Sequence, residues 1–153
     1  MKQLELTIPP PVVMLATGLI MWILSFLFPT LTFSSISSLT GAVVFVLLGL
    51  GISVAGVITF KRTRTTSDPR KPADASVLVT SGIYSLTRNP MYLGVLLVLI
   101  GWGLWLGNAL ALICAFIFVP YINRFQIQPE ERLLRDKFGA AFASYEAKVR
   151  RWI

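Results

Sequence analysis

The stretch Val77-Leu-Val-Thr-Ser-Gly-Ile-Tyr-Ser-Leu-Thr-Arg-Asn-Pro-Met-Tyr-Leu-Gly94 is the most polar and sterically specified part of a largely apolar chain. It runs straight into a membrane-length hydrophobic segment. Asn89-Pro90 reads as a helix start, because proline at the first helical position gives up no useful N–H and the Asn side chain can cap the next turn's amides. Pro90 also biases Asn89 away from helical geometry, so the chain should arrive extended. The product is a helix N-terminus near a membrane surface, with free N–H groups and a positive dipole end suited to a carboxylate or phosphate. Gly82, Tyr84, Arg88, Tyr92 and Gly94 supply a turn, two aromatic faces, a cation and room. By residue type alone, they equally fit a capped transmembrane helix with interfacial tyrosine anchors and an arginine among headgroups.

Outward from this block, composition sets the solvent. Of 153 residues, 55% are hydrophobic and 14% charged, and no charged residue lies between Leu6 and Phe60 or between Asn89 and Asn123. Uncharged runs of that length are bilayer spans, and the length allows one domain, residues 1–153. The net charge of +7 sits next to the spans, without the interleaved aromatic and basic platform that nucleic acid needs. Anionic lipid and the positive-inside bias account for it. One cysteine, Cys114, permits no disulfide within the chain, and the absence of histidine excludes His metal sites, a Ser-His triad and His acid–base catalysis.

Four spans are predicted, at about residues 11–29, 40–60, 90–106 and 109–126. Lys2 ahead of the first apolar run imitates a signal peptide, but no small-residue cleavage pattern follows, so a retained span is expected. Gly49, Gly51, Ser53, Ala55 and Gly56 give the second span a small-residue face for close helix packing. The 61–88 loop is expected to be flexible through Pro72, and its Val77-Leu-Val-Thr reads either as extended chain or as a helical lead-in. Gly107-Asn108 predicts a tight turn and Pro120 a kink. Pro129 opens a last helix, with Glu130 and Glu131 complementing its dipole. There Leu134, Phe138, Phe142, Tyr145, Val149 and Trp152 form one apolar stripe among basic residues, bent at Gly139. The expected fold is therefore an all-α integral membrane protein: four transmembrane helices plus a C-terminal amphipathic helix on anionic lipid at the cytoplasmic interface. Charge placement puts both termini and the 61–88 loop on the cytoplasmic side of an inner or plasma membrane.

Leu78-Val-Thr-Ser-Gly-Ile-Tyr84 with Arg88-Asn-Pro-Met-Tyr-Leu-Gly94, and Glu130-Glu-Arg-Leu-Leu-Arg-Asp-Lys-Phe-Gly139 with Tyr145 and Val149, resemble two signature blocks in their usual order. They are those of the isoprenylcysteine carboxyl methyltransferase family, which is related to phospholipid methyltransferases. The resemblance covers the chain from about Ser76 onward. It implies S-adenosylmethionine held within 76–153: by backbone at Ser76, Val77, Leu78 and Val79, by the ring of Tyr84, and by Asn89, Pro90, Met91 and Tyr92. Glu130 would be its acidic partner, toward the ammonium group. No metal ligands and no single catalytic residue follow from it. The chain departs from the pattern twice. Asn89 stands where the family has His, and Gln126 stands where it has a substrate-contacting Arg. Arg124 is the nearby replacement, making Arg124 and Gln126 the substrate-binding candidates.

Methyl transfer from a sulfonium to a carboxylate needs alignment and exclusion of water more than acid–base help. A neutral amine would want a base, and no obvious one is present. The reading is a membrane methyltransferase on a lipidic acceptor that enters from the bilayer, most specifically a prenylcysteine carboxylate. The alternatives are a phospholipid amine N-methyltransferase, an NADPH-dependent sterol-type reductase, whose family resembles the same C-terminal fold, and a non-enzymatic membrane adaptor. The 61–76 loop is a candidate lid over the cofactor.

Overall fold

The computed structural model describes residues 5–33, 36–63 and 77–153. Within them the order is α1 (Pro10–Leu27), α2 (Ile36–Arg62), α3 (Pro90–Leu106), α4 (Ala109–Ala115), α5 (Phe118–Ile122), a π-helical turn (Asn123–Ile127), α6 (Gln128–Phe138) and α7 (Ala140–Lys148). α1, most of α2 and the run Ala109–Phe138 are long and apolar enough to cross a bilayer, and α3 is an apolar helix of 17 residues. Leu15, Leu19, Phe26, Leu47, Ile113 and Ile117 are each more than half exposed. That belt would be an aggregation surface in water, whereas among lipid tails it costs nothing. The protein is a membrane protein.

Because lipid tails are as apolar as Leu, helices in a bilayer associate through close packing. α2 and α3 do so at their small residues. A Cβ added at Gly49 would lie 2.5 Å from the Gly94 carbonyl oxygen, and one at Gly101 would lie 2.8 Å from that of Ala42. The small-residue face of α2 is thus a packing face, with one correction: Gly51 looks onto open space. The fully buried core, Met21, Ala111, Ala115, Phe118, Ile122 and Ile127, lies where α1, α3 and the α4–α5 segment meet.

The uncharged end of the bundle is closed by polar backbone pairing. Gly107 adopts φ 61°, ψ 30°, a left-handed conformation that L side chains disfavour, and so ends α3. Asn108 is fully buried: its Oδ1 accepts the Ala111 N–H at 3.1 Å and its Nδ2 donates to the Phe28 carbonyl at 2.9 Å. This caps α4 and ties it to the end of α1. Pro120 lacks an N–H, and the helix breaks one turn earlier at Phe116–Ile117, between α4 and α5.

Two expectations about the last third change. Pro129 does not open a separate helix, because the π turn carries the chain continuously from α5 into α6. The single amphipathic helix is instead two helices broken at Gly139 (φ 49°), and Phe142 and Tyr145 from its apolar stripe are buried inside the protein.

Candidate functional site

The site is assembled at the charged end of the bundle. Residues 77–81 form neither helix nor paired strand, with Val79 buried and Val77 half exposed. Ser76, and nearly all of the 61–76 loop suggested as a lid, lie outside the described residues. Gly82, at φ 61°, starts a short 3-10 turn (Gly82–Ser85) that sets the Tyr84 ring edge-on to Phe60 at 5.1 Å. Pro90, Met91 and the Tyr84 hydroxyl converge on Gly56 of α2, within 3.0 to 3.6 Å of where a Cβ would stand.

Asn89 is non-helical, as Pro90 requires, at φ −131°, ψ 55°. Its side chain does not cap α3. Nδ2 donates instead to the Arg151 carbonyl at 2.9 Å, because residues 149–153 fold back across this turn. The first-turn N–H groups of α3 are left without a side-chain cap.

One turn into α3, the Tyr92 hydroxyl donates to Glu130 Oε1 on α6. The two residues are 38 apart in sequence. Of the carboxylates in the described residues, Glu131 is paired with Arg88 and Arg151, Glu146 with Arg88 and Arg135, and Glu5 with Arg124 and Arg132. Asp136 is exposed to solvent. Glu130 faces inward, and among the described residues no cation lies within ion-pair reach of it. An inward carboxylate held only by a tyrosine hydroxyl is an unfinished electrostatic arrangement.

Around this pair the other aromatics are tightly held. The Tyr145 hydroxyl donates to the Tyr84 carbonyl at 2.7 Å. Burial raises the Tyr84 phenol well above its ordinary range, with Tyr145 and Glu130 adding to the effect. Burial also pushes Tyr145 up to about 12, against the opposing charge of Arg88. Both are therefore neutral hydroxyls at physiological pH.

The substrate-binding candidates have other partners. Gln126 is fully buried, its Nε2 donating to the Ile8 carbonyl at 2.6 Å and its Oε1 without a partner. Arg124 holds Glu5 Oε1 at 2.7 Å while Arg132 binds Oε2. The Leu6 N–H reaches the Phe125 carbonyl at 3.0 Å, a group in the π turn. Residues 5–8 thus lie against Arg124 and Gln126. The pairing holds the Glu5 carboxyl below the usual carboxylate range, chiefly through the Arg124 hydrogen bond.

The model of the family described as phospholipid methyltransferase matches residues 37–141. The chain belongs to the phospholipid methyltransferase family. The match takes in Tyr84, Tyr92 and Glu130. Within the family, the chain is 35% identical to the protein-S-isoprenylcysteine O-methyltransferase of Saccharomyces cerevisiae over 131 residues, 82% of this chain and 54% of that protein. It is 32% identical over 123 residues to a probable protein-S-isoprenylcysteine O-methyltransferase of Oryza sativa subsp. indica, 80% of this chain and 64% of that protein. A Haemophilus influenzae protein is 52% identical over 63 residues, 41% of this chain and all of that protein. The isoprenylcysteine methyltransferases named here are longer, and the chain spans 54% and 64% of their lengths. No solved structure gives a significant match. The resemblance carried by the 78–94 and 130–149 blocks is borne out by these relatives.

Sequence reading missed the ion-pair network joining Arg88, Glu131, Glu146 and Arg151. Its members are up to 63 positions apart (151 − 88) and share no spacing rule. The only local signal is an arginine and a glutamate each one position away from a site residue.

Proposed function

We propose that this chain is an integral membrane methyltransferase that uses S-adenosylmethionine and acts on a lipidic acceptor, most specifically the carboxylate of a prenylated cysteine. The observation that carries the reading is Glu130, an inward carboxylate oriented by Tyr92 and lacking a cation among the described residues. S-adenosylmethionine supplies an electrophilic methyl group on a sulfonium, next to an amino-acid ammonium. Glu130 is the residue to hold that ammonium, with Tyr92 keeping its carboxylate in one rotamer. The open amides at the start of α3 suit a carboxylate end, and Tyr84, Val79, Pro90 and Met91 give an apolar wall. The chain's own work is alignment and exclusion of water, which buried Tyr84, Tyr92 and Val79 support. A carboxylate acceptor needs no proton removed, in keeping with a site without histidine.

The finer features follow from the same reading. Charge placement favours both termini and the 61–88 loop on the cytoplasmic side of an inner or plasma membrane, with exposed Lys148 and Arg150 toward anionic lipid.

A lipid amine acceptor is favoured by one observation. Gln126 leaves a buried carbonyl oxygen without a donor, one turn from Glu130, where a carboxylate clamp would need a cation.

The test is calorimetric titration of the detergent-purified protein with S-adenosylhomocysteine, alongside Glu130→Ala and Tyr92→Ala. Binding in the wild type that is lost in both variants is the expected outcome. A folded wild type that binds no S-adenosylhomocysteine and does bind NADPH would overturn the reading in favour of a reductase. Transfer of labelled methyl to an S-prenylcysteine, against vesicles containing phosphatidylethanolamine, then separates the two acceptors.

A further inference from the structure

Tyr92 and Glu130 belong to two helices that do not follow one another in the chain. Their meeting requires that α6 stand at the right rotation about its axis and that the turn before α3 stand at the right height beside it. Arg151, outside both helices, touches α6 and the turn before α3. On α6, Glu131 is buried, and the Arg151 guanidinium grips it through Nε–Oε1 at 3.1 Å and Nη2–Oε2 at 2.6 Å. On the other side, the Arg151 backbone carbonyl accepts from Asn89 Nδ2 at 2.9 Å and from the Thr87 hydroxyl at 3.3 Å. The same turn is tied a second time by the Arg88 N–H, which donates to the Arg150 carbonyl at 3.0 Å.

Glu131 and Glu130 are neighbours on one helix, about 100° apart in projection. A planar two-point grip on Glu131 therefore restrains the direction in which Glu130 points more closely than a single point charge would. Arg88 adds a third point, reaching Glu131 Oε1 at 3.1 Å. Arg151 itself touches neither Tyr92 nor Glu130.

We infer that Arg151 is a positioning residue for the cofactor site: through Glu131 on one side and Asn89 on the other, it sets Glu130 against Tyr92. The inference rests on the function proposed above, because it gives Glu130 the task of holding the ammonium group of the methyl donor.

The test compares wild type with Arg151→Lys, which keeps the charge and backbone but not the two-point grip, and with Arg151→Ala. Lys148→Ala, an exposed charge removed elsewhere on the same face, is the control. S-adenosylhomocysteine affinity and thermal unfolding are measured on each protein in the same micelle. Arg151→Lys should weaken binding about threefold to tenfold with little loss of thermal stability, Arg151→Ala by more than tenfold, and Lys148→Ala not at all. A double-mutant cycle of Arg151→Lys with Tyr92→Phe should be non-additive, since both act on the Glu130 carboxylate. Unchanged affinity in folded Arg151→Lys, or a strictly additive cycle, would overturn the inference even where stability falls. Wild type that binds no cofactor sinks the proposed function instead, so the two failures are distinguishable. If Arg151→Ala does not fold, the lysine variant and the cycle decide.

Discussion

Replacing Gly94 by alanine tests whether α2 and α3 meet backbone to backbone beside the site. A methyl at Gly94 would run into Ser53 Oγ and the Gly49 carbonyl oxygen, with the Ser53 amide nitrogen 3.1 Å away. Two of these three atoms are main chain and cannot turn aside, so the helices must part at that layer. Overpacking a well-fitted contact costs about 1–3 kcal/mol, and the rigidity of the opposing atoms puts this site near about 3. For a chain of this size that is a fall in Tm of about 6–12 °C. The control is Gly51→Ala on α2, away from the packing face, where an added Cβ meets nothing within 4 Å. It should gain about 0.5–1 kcal/mol from helix propensity and raise Tm by a few degrees. The assay is thermal unfolding followed by far-ultraviolet circular dichroism in one detergent. Gly94→Ala unfolding at the wild-type temperature, or Gly51→Ala losing as much as Gly94→Ala, would refute the packing argument. Because Gly94 lies two residues after Tyr92, the first variant should also weaken S-adenosylhomocysteine binding.

Asn108→Ala removes both the cap of α4 and the link to the Phe28 carbonyl, leaving buried backbone groups unpaired. It should cost about 2–4 kcal/mol, read as a lower denaturation midpoint without loss of cofactor affinity. Acid should destabilise the fold through Glu146. Its carboxyl is held below the ordinary 4.5 by the Arg135 hydrogen bond first, with burial opposing and Arg88 adding. A depressed folded-state pKa means the contribution is complete above about 4.5 and is lost as pH falls through the folded value. Stability measured across that window should therefore drop more steeply in wild type than in Glu146→Gln; equal slopes would count against the assignment. Glu5→Gln loosens only half-exposed arginines, so the unfolding midpoint should move far less than in Asn108→Ala.

Much of the architecture was readable before any coordinates. Uncharged runs between Leu6 and Phe60 and between Asn89 and Asn123 require a bilayer. The Gly107-Asn108 break, the small-residue packing of α2 and the Asn89-Pro90 helix start rest on local sterics that the residues carry with them. The two signature blocks carried the family. Some local readings failed where a distant segment offered a better partner. Asn89 gave up its cap to the Arg151 carbonyl. The apolar stripe of Phe142 and Tyr145 turned inward, because Gly139 broke the helix and let Tyr145 reach Tyr84. Arg124 and Gln126 keep their place as substrate-binding candidates, and their contacts to residues 5–8, more than a hundred positions away, follow no spacing rule.

What the sequence determined by itself was the solvent of the chain, where its helices start and stop, and the residue types available at its charged end. Those follow from side-chain transfer energies and backbone sterics, which act over a few residues. Only the tertiary structure decided which of the two neighbouring carboxylates, Glu130 or Glu131, meets arginines. Glu130 and Glu131 are the same residue type at adjacent positions. One meets two arginines and the other meets Tyr92, because α6 can present only one of them to each neighbour. Charge pairing depends on distance in space, and no spacing along the chain encodes it.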